Sequence, residues 1–101
     1  MTELRLSAAA RADLVAIRIY SNDQFGRETA DAYFLGFDDL FDLLIRHPRA
    51  GEKKSALGKN IRCLVHRRHR ILYRVDGETV VIVRIVHHAM DLRRALKGAA
   101  R

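Results

Sequence analysis

The chain is organised around a strand-like stretch, IRCLVHRRHRILYRVDGETVVIVRIVHH, which runs from Ile61 to His88. Val, Ile and Leu recur in it as they do in strands, and nearly all the polar residues between them are Arg or His. The basic pair Arg67-Arg68 and the turn pair Asp76-Gly77 divide the stretch into three parts. We therefore predict three short strands in succession, over residues 61–66, 69–75 and 79–87. Their basic polar positions favour an acidic partner.

The length of the loop at Asp76-Gly77 decides which face of this sheet carries Arg84. A two-residue loop places Arg84 on the face opposite Arg70 and Arg74. A three-residue loop places all three arginines on one face, because a slip of one residue moves a whole set of side chains across the sheet. The sequence leaves both registers open.

The first half of the chain predicts one strand and two helices. Glu3–Leu6 alternates polar and apolar residues, as a short strand does. Ser7 can cap an alanine-rich helix over about residues 8–21. A second helix, starting at Arg27 or Glu28 and ending near residue 46, carries four aromatic residues on one stripe and stops before Pro48. The connection is short, so the two helices should form an antiparallel hairpin.

Two further segments complete the expected architecture. Residues 49–60 read as a glycine- and lysine-rich connection, and residues 88–101 as a basic tail with one or two helical turns over Asp91–Lys97. A chain of 101 residues forms one domain, spanning residues 1–101. We predict an α+β fold: an N-terminal strand, a helix hairpin and a three-stranded antiparallel meander, with the helices packed on one face of the sheet.

Composition narrows the classes of function. The formal net charge is +7 and the isoelectric point about 10.3, which indicates an acidic partner. No apolar run is long enough to span a membrane, and the N-terminus lacks a signal-peptide pattern, so we expect a cytoplasmic protein. The single cysteine, Cys63, should act as a small hydrophobe. The five histidines lack zinc-site spacing, so we expect neither a metal nor a cofactor.

Three pieces of the sequence, in order, resemble the RelE/ParE superfamily of bacterial toxins. LSAAARADLVAIRIY, from Leu6, is similar to the opening helix of that superfamily, and IRHPRAG, from Ile45, to the turn after its second helix. IRCLVHRRHRILYRVDGETVVIVRIVHHAMDL, from Ile61, resembles its sheet signature. The resemblance covers about residues 4–92. It implies a toxin neutralised by a cognate ParD-like antitoxin, whose C-terminal segment wraps around it in a hetero-oligomer.

The superfamily divides by target. RelE-like members cut messenger RNA in the ribosome, whereas ParE-like members poison DNA gyrase and have no nuclease activity. Cleavage of RNA needs an acid, a base and cations around the phosphate. The candidates for these roles are Arg62, Arg70, Arg74, His87 and His88.

The tail of the chain favours the ParE-like half. No tyrosine follows Tyr73, so the C-terminal tyrosine of one RelE-like type is missing. MDLRRAL, from Met90, is closer to the ParE pattern, in which an Asp and a Leu follow His87 by a few residues. We therefore predict a non-enzymatic toxin that binds gyrase and shows no sequence-specific binding of DNA, with a RelE-like endoribonuclease as the alternative.

The resemblance and the basic sheet together name candidate partner-binding residues: Arg62, Arg70, Arg74, Arg84, His87 and Arg93. Each sheet arginine has a structural alternative, which is to pair with an acidic residue of the helices such as Asp13. The histidines at the end of the last strand have one too, which is to cap that strand. A plain binding module without a toxic target is the third alternative for the whole chain.

Overall fold

The computed structural model describes residues 2–99 and contains one five-stranded sheet with three α-helices. The elements in chain order are β1 Glu3–Leu6, α1 Ala8–Phe25, α2 Arg27–Arg46, β2 Glu52–Lys53, β3 Ile61–His66, β4 His69–Asp76, β5 Thr79–His87 and α3 Leu92–Ala99. The strand order is β1-β5-β4-β3-β2, and β1 alone runs parallel to its neighbour. The predicted α+β class, helix hairpin and three-stranded meander are confirmed.

Local differences from the prediction lie at element ends. Helix α1 continues one turn beyond Ser21, to Phe25, because the break comes at Gly26, whose φ of 84° ends one helix and begins the next. The connection after α2 contains the short edge strand β2 and a 3-10 turn at Ser55–Leu57, which a glycine- and lysine-rich composition did not indicate.

The sheet separates two apolar clusters. The larger lies between the sheet and the α1–α2 hairpin and is built from Ala10, Ile17, Phe37, Leu44, Ile71, Tyr73, Val80, Ile82 and Ile85. The smaller lies on the other side, which we call the outer face, where Ala95 of α3 packs with Cys63, Leu72 and Val86. Cys63 is buried, as expected of a small hydrophobe.

A close approach between α2 and β3 fixes how the hairpin sits on the sheet. The His66 ring lies so near Gly36 that a Cβ at this position would overlap it, and His66 Nε2 lies 2.9 Å from the Tyr33 carbonyl oxygen. Glycine is therefore required in the middle of α2 by packing, although it weakens a helix.

The register of β4 and β5 resolves the position of Arg84 in a way that neither loop length predicted. Asp76 pairs with Thr79, so the turn residues are Gly77 and Glu78. The register then shifts between Leu72 and Tyr73, which leaves Val83 as an extra residue in β5. After this bulge Arg84 stands opposite Leu72, on the outer face that also carries Arg70 and Arg74.

Arg84 is held by a structural ion pair at the edge of β5. Because β1 pairs with β5 only as far as Ile82, the rest of this edge faces helix α1. Asp13 of α1 accepts hydrogen bonds from Arg84 Nε at 2.7 Å and Nη2 at 2.9 Å, and also from the Ile85 amide at 2.9 Å. Arg84 Nη1 donates to the Ala95 carbonyl at 2.9 Å, which ties α3 to the same point.

We predict that Asp13→Ala lowers the free energy of unfolding by about 3 kcal/mol, because it leaves a largely buried guanidinium and the Ile85 amide without their acceptor. The Asp13 and Arg84 side chains are only 14% and 18% exposed. The control is Asp31→Ala, which breaks the exposed Arg18–Asp31 pair and should cost less than about 1 kcal/mol. Urea unfolding of both variants makes the comparison, and equal losses would contradict the role given to Asp13.

Candidate functional site

A groove with a volume of about 560 Å³ opens between the α1–α2 turn and the ends of β4 and β5. We call it the apolar groove. Its apolar lining includes Ile17, Tyr20, Phe25, Ala30, Ile85, Val86 and Met90. Arg67, Arg68, His69 and His87 also line it, from the β3–β4 turn and the adjoining strand ends.

The groove exposes large aromatic surface. The side chains of Tyr20 and Phe25 are 59% and 56% exposed, and their rings meet edge to face at a centroid distance of 6.3 Å. Met90, on the other side, is also exposed. Contiguous apolar surface of this kind is typical of a docking site, because a partner that covers it removes apolar area from water.

The groove carries positive charge along one side. Arg67 and Arg68 form the two-residue turn between β3 and β4, and Arg67 adopts a positive φ of 53° as such tight turns require. This combination of apolar lining and a cationic side suits an amphipathic helix with acidic residues along one flank.

The histidines beside this turn are linked to α2 through Tyr33. The Tyr33 hydroxyl donates to the His66 carbonyl at 3.1 Å and lies 2.6 Å from His69 Nδ1. One hydroxyl proton cannot serve both acceptors, so His69 Nδ1–H donates to the Tyr33 oxygen while Tyr33 donates to the carbonyl. Burial raises the pKa of Tyr33, which stays protonated in this role.

His69 is a neutral imidazole in this setting. Burial is the main cause that lowers its pKa from 6.5 to about 4, and the neighbouring histidines His87, His66 and His88 contribute to the same shift. The His69 and His87 rings meet edge to face at 5.8 Å, and His87 stacks obliquely on His88 at 4.4 Å. The three histidine rings therefore pack together at the end of the sheet.

The structure does not bring the candidate acid, base and cations together at one point. Arg62 lies on the hairpin side of β3, where its Nη1 donates to the Gly51 carbonyl at 2.9 Å. Arg70 and Arg74 lie on the outer face, and the Nε of Arg74 donates to Asp76 at 2.8 Å.

The two histidines of the set, His87 and His88, lie at the far end of the sheet. The His87 ring accepts a hydrogen bond from the Ala89 amide at 3.2 Å, which is the strand-capping role considered for it.

The six predicted partner-binding residues do not lie on one surface of the folded chain. Arg84 and His87 line the apolar groove. Arg62 is on the hairpin side of the sheet, Arg70 and Arg74 are on the outer face, and Arg93 is exposed on α3.

Sequence reasoning did not single out Tyr33, His69 or the aromatic pair Tyr20 and Phe25 as site residues. Arg67-Arg68 was visible in the sequence as a basic turn. The signal for the aromatic pair was a tyrosine and a phenylalanine close together at the end of α1. The pairing of Arg84 with Asp13 was one of its structural alternatives, and it is confirmed.

The described part of the chain contains neither a candidate metal site nor a candidate membrane-spanning helix. No group of three or more His, Cys, Asp or Glu side chains within residues 2–99 could hold a metal ion. Among the described helices, none is long and apolar enough to cross a membrane.

Comparison with known proteins identifies the family. The family model for the ParE toxin of the type II toxin–antitoxin system parDE matches residues 4–92, which is most of the chain. The chain belongs to the ParE toxin family. Toxin ParE1 of Caulobacter vibrioides is 33% identical over 96 residues, covering 95% of this chain and 99% of the relative.

Other relatives agree with this assignment. Toxin ParE1 of Mycobacterium tuberculosis is 34% identical over 92 residues, with 90% of this chain and 94% of the relative covered. A solved chain of the chromosomal ParDE TA system from P. aeruginosa superposes with a TM-score of 0.74 over 86% of this chain and 96% of that one, at 24% identity. That likeness confirms the ParE-type fold.

We predict that the stability of this ParE-family chain falls as pH drops from about 6.5 towards 4. The unfolded chain takes up a proton on His69 in this window, while the folded chain, in which the pKa is about 4, does not. His69→Gln should therefore flatten the fall in unfolding free energy. The exposed His47→Gln serves as the matched control and should keep it. Urea unfolding at several pH values measures the slopes, and equal slopes in the two variants would refute this account of His69.

Proposed function

We propose that this chain arrests growth by binding and poisoning DNA gyrase without catalysing a reaction, and that a cognate ParD-like antitoxin neutralises it in the cytoplasm. The observation that carries the proposal is the family match over residues 4–92. Its relatives bear the name Toxin ParE1, and the structural neighbour belongs to a ParDE TA system.

The distribution of the candidate catalytic residues supports the non-enzymatic part. General acid–base cleavage of RNA needs its acid, base and cations within hydrogen-bond reach of one phosphate. Arg62 lies on one side of the sheet and Arg70 and Arg74 on the other. The endoribonuclease alternative would have to bring these residues together across a packed sheet.

A gyrase assay tests the target. We expect the purified chain to trap DNA cleavage complexes of purified gyrase and to lose this effect when the antitoxin is added first. Absence of trapping, with the same gyrase shown to supercoil DNA, would refute the gyrase proposal. Codon-located cuts in mRNA on addition to a translating ribosome would instead support the RelE-like alternative.

The antitoxin is proposed to dock in the apolar groove through the C-terminal segment of its chain. A segment that folds on binding needs apolar anchors, and Tyr20, Phe25 and Met90 offer exposed surface for them. It also needs charge complementarity, and acidic residues on its flank would meet Arg67 and Arg68 beside the groove. Arg84 and His87 belong to this surface.

We predict that the double variant Tyr20→Ala with Phe25→Ala weakens antitoxin binding at least tenfold, because two aromatic contacts are lost from the centre of the surface. The matched control is Val15→Ala with Leu35→Ala, since these side chains are 60% and 63% exposed but lie outside the groove. It should change the Kd less than threefold. Isothermal titration with the antitoxin gives both values, and a larger loss in the control pair would place the interface elsewhere.

A further inference from the structure

Charge is divided unevenly along the chain. Residues 49–101 contain fourteen of the nineteen lysines and arginines but only four of the twelve acidic residues. Helix α2, by contrast, contains five acidic residues and two arginines. Since α2 packs on the hairpin side, its negative charge lies there, whereas part of the positive charge of residues 49–101 lies on the outer face and on α3.

The outer face holds an open trough with a volume of about 720 Å³. Its floor is formed by Ile61, Val81 and Val83, and Leu57 of the 3-10 turn and Leu96 of α3 also line it. Arg5, Lys59 and Arg74 line it with three cations contributed by three separate segments of the chain. These cations converge only in the folded protein.

Helix α3 extends this positive surface. Its apolar residues Leu92 and Leu96 pack towards the sheet with Ala95. Arg93, Arg94 and Lys97 are exposed on the helix beside the trough. We call the trough cations and these three residues together the basic face.

Three acidic residues lie at one end of the basic face, and Asp91 caps the start of α3 by accepting from the Arg93 amide at 3.0 Å. Asp76 lines the trough and is paired with Arg74 at 2.8 Å. Glu3 and Glu78 lie next to it around the Gly77 turn, where the Glu3 amide donates to the Glu78 carbonyl. The basic face therefore runs from Arg5 and Lys59 towards α3, away from this turn.

The kind of partner follows from what the trough lacks. The large, exposed apolar side chains of the described residues do not include any that line it, so a folding peptide would find few anchors there. Among residues 2–99, no aromatic side chain lines it either, so single-stranded bases would have no platform on which to stack. Spaced cations without anchors or platforms suit the phosphate backbone of a double helix.

We propose that the basic face binds duplex DNA through its phosphates, without reading the base sequence. The choice of DNA over duplex RNA rests on the proposed function, since gyrase works on duplex DNA. The contact lies on the outer side of the sheet from the helix hairpin, so it is separate from the docking surface assigned to the antitoxin. A chain bound to gyrase could thereby hold the DNA segment beside the enzyme.

Fluorescence anisotropy with a random-sequence duplex of about 20 base pairs tests the proposal in the absence of gyrase. We expect binding by the purified chain at low salt, weakening linearly on a log–log plot against salt concentration. Replacing Arg5, Lys59 and Arg74 by Gln should reduce affinity at least tenfold and lower the salt slope by about two to three. Because gyrase is absent, this result does not depend on the outcome of the cleavage-complex assay.

The control removes the same charge from the helices. Arg11, Arg27 and Arg46 are exposed there, and their replacement by Gln should reduce affinity less than threefold. Circular dichroism establishes that each variant is folded. If the trough variant does not fold, replacing Arg93, Arg94 and Lys97 by Gln tests the same face, with the same expected loss.

Four outcomes would overturn the proposal. Two concern the duplex itself: no binding at low salt, or equal losses of affinity in the trough and control variants. The other two are tenfold tighter binding of duplex RNA than of duplex DNA, and displacement of the DNA by a polyglutamate peptide added at the same concentration of negative charge. The last would assign the face to an acidic protein segment.

Discussion

The Asp13 carboxylate stands where the sheet, the helix hairpin and the C-terminal helix meet. Strand β1 ends at Leu6 because Ser7 turns the chain into α1, with its hydroxyl accepting from the Ala10 amide and donating to the Val83 carbonyl. The rest of the β5 edge would be open to solvent without a partner for its amides. Asp13 accepts hydrogen bonds from the Ile85 amide and from Nε and Nη2 of Arg84, and Arg84 Nη1 in turn donates to the Ala95 carbonyl. One carboxylate thus seats α1 against β5 and secures α3.

That arrangement separates the two surfaces to which partners are proposed to bind. On the hairpin side, the seating of α1 leaves Tyr20 and Phe25 projecting beside β5 and forms the apolar groove. On the outer side, α3 covers Leu72 and Val86 but leaves the basic residues of the trough uncovered. An apolar surface with exposed aromatic side chains and a cationic side suits a protein helix, and a cationic surface without such aromatic anchors suits a phosphate backbone. The proposed silencing by an antitoxin and the proposed contact with DNA beside gyrase use two surfaces that do not overlap.

The fold could be predicted largely because its signals are local. The Ser7 cap, the aromatic stripe of α2 and the two hairpin turns of the meander each lie within a few residues of the element they define. The site was less accessible to prediction. Tyr33 and His69 are more than thirty residues apart in the sequence and meet only in the folded chain, where Gly36 also lets α2 approach the His66 ring closely. The arginines of the strands looked alike, yet one is paired with Asp13, one with loop carbonyls and one with Asp76.

The sequence alone determined the order of elements, the strongly basic charge and the resemblance to the RelE/ParE superfamily, because each of these depends on residue type and short-range spacing. Only the tertiary structure decided where the sheet arginines point. A single extra residue at Val83 shifts the register of β5 and carries Arg84 to the outer face, against the expectation from a two-residue turn. A bulge is set by packing on both faces of the sheet at once. The basic stretch from Ile61 to His88 therefore does not form one surface for an acidic partner. Its residues are divided between the apolar groove and the basic face.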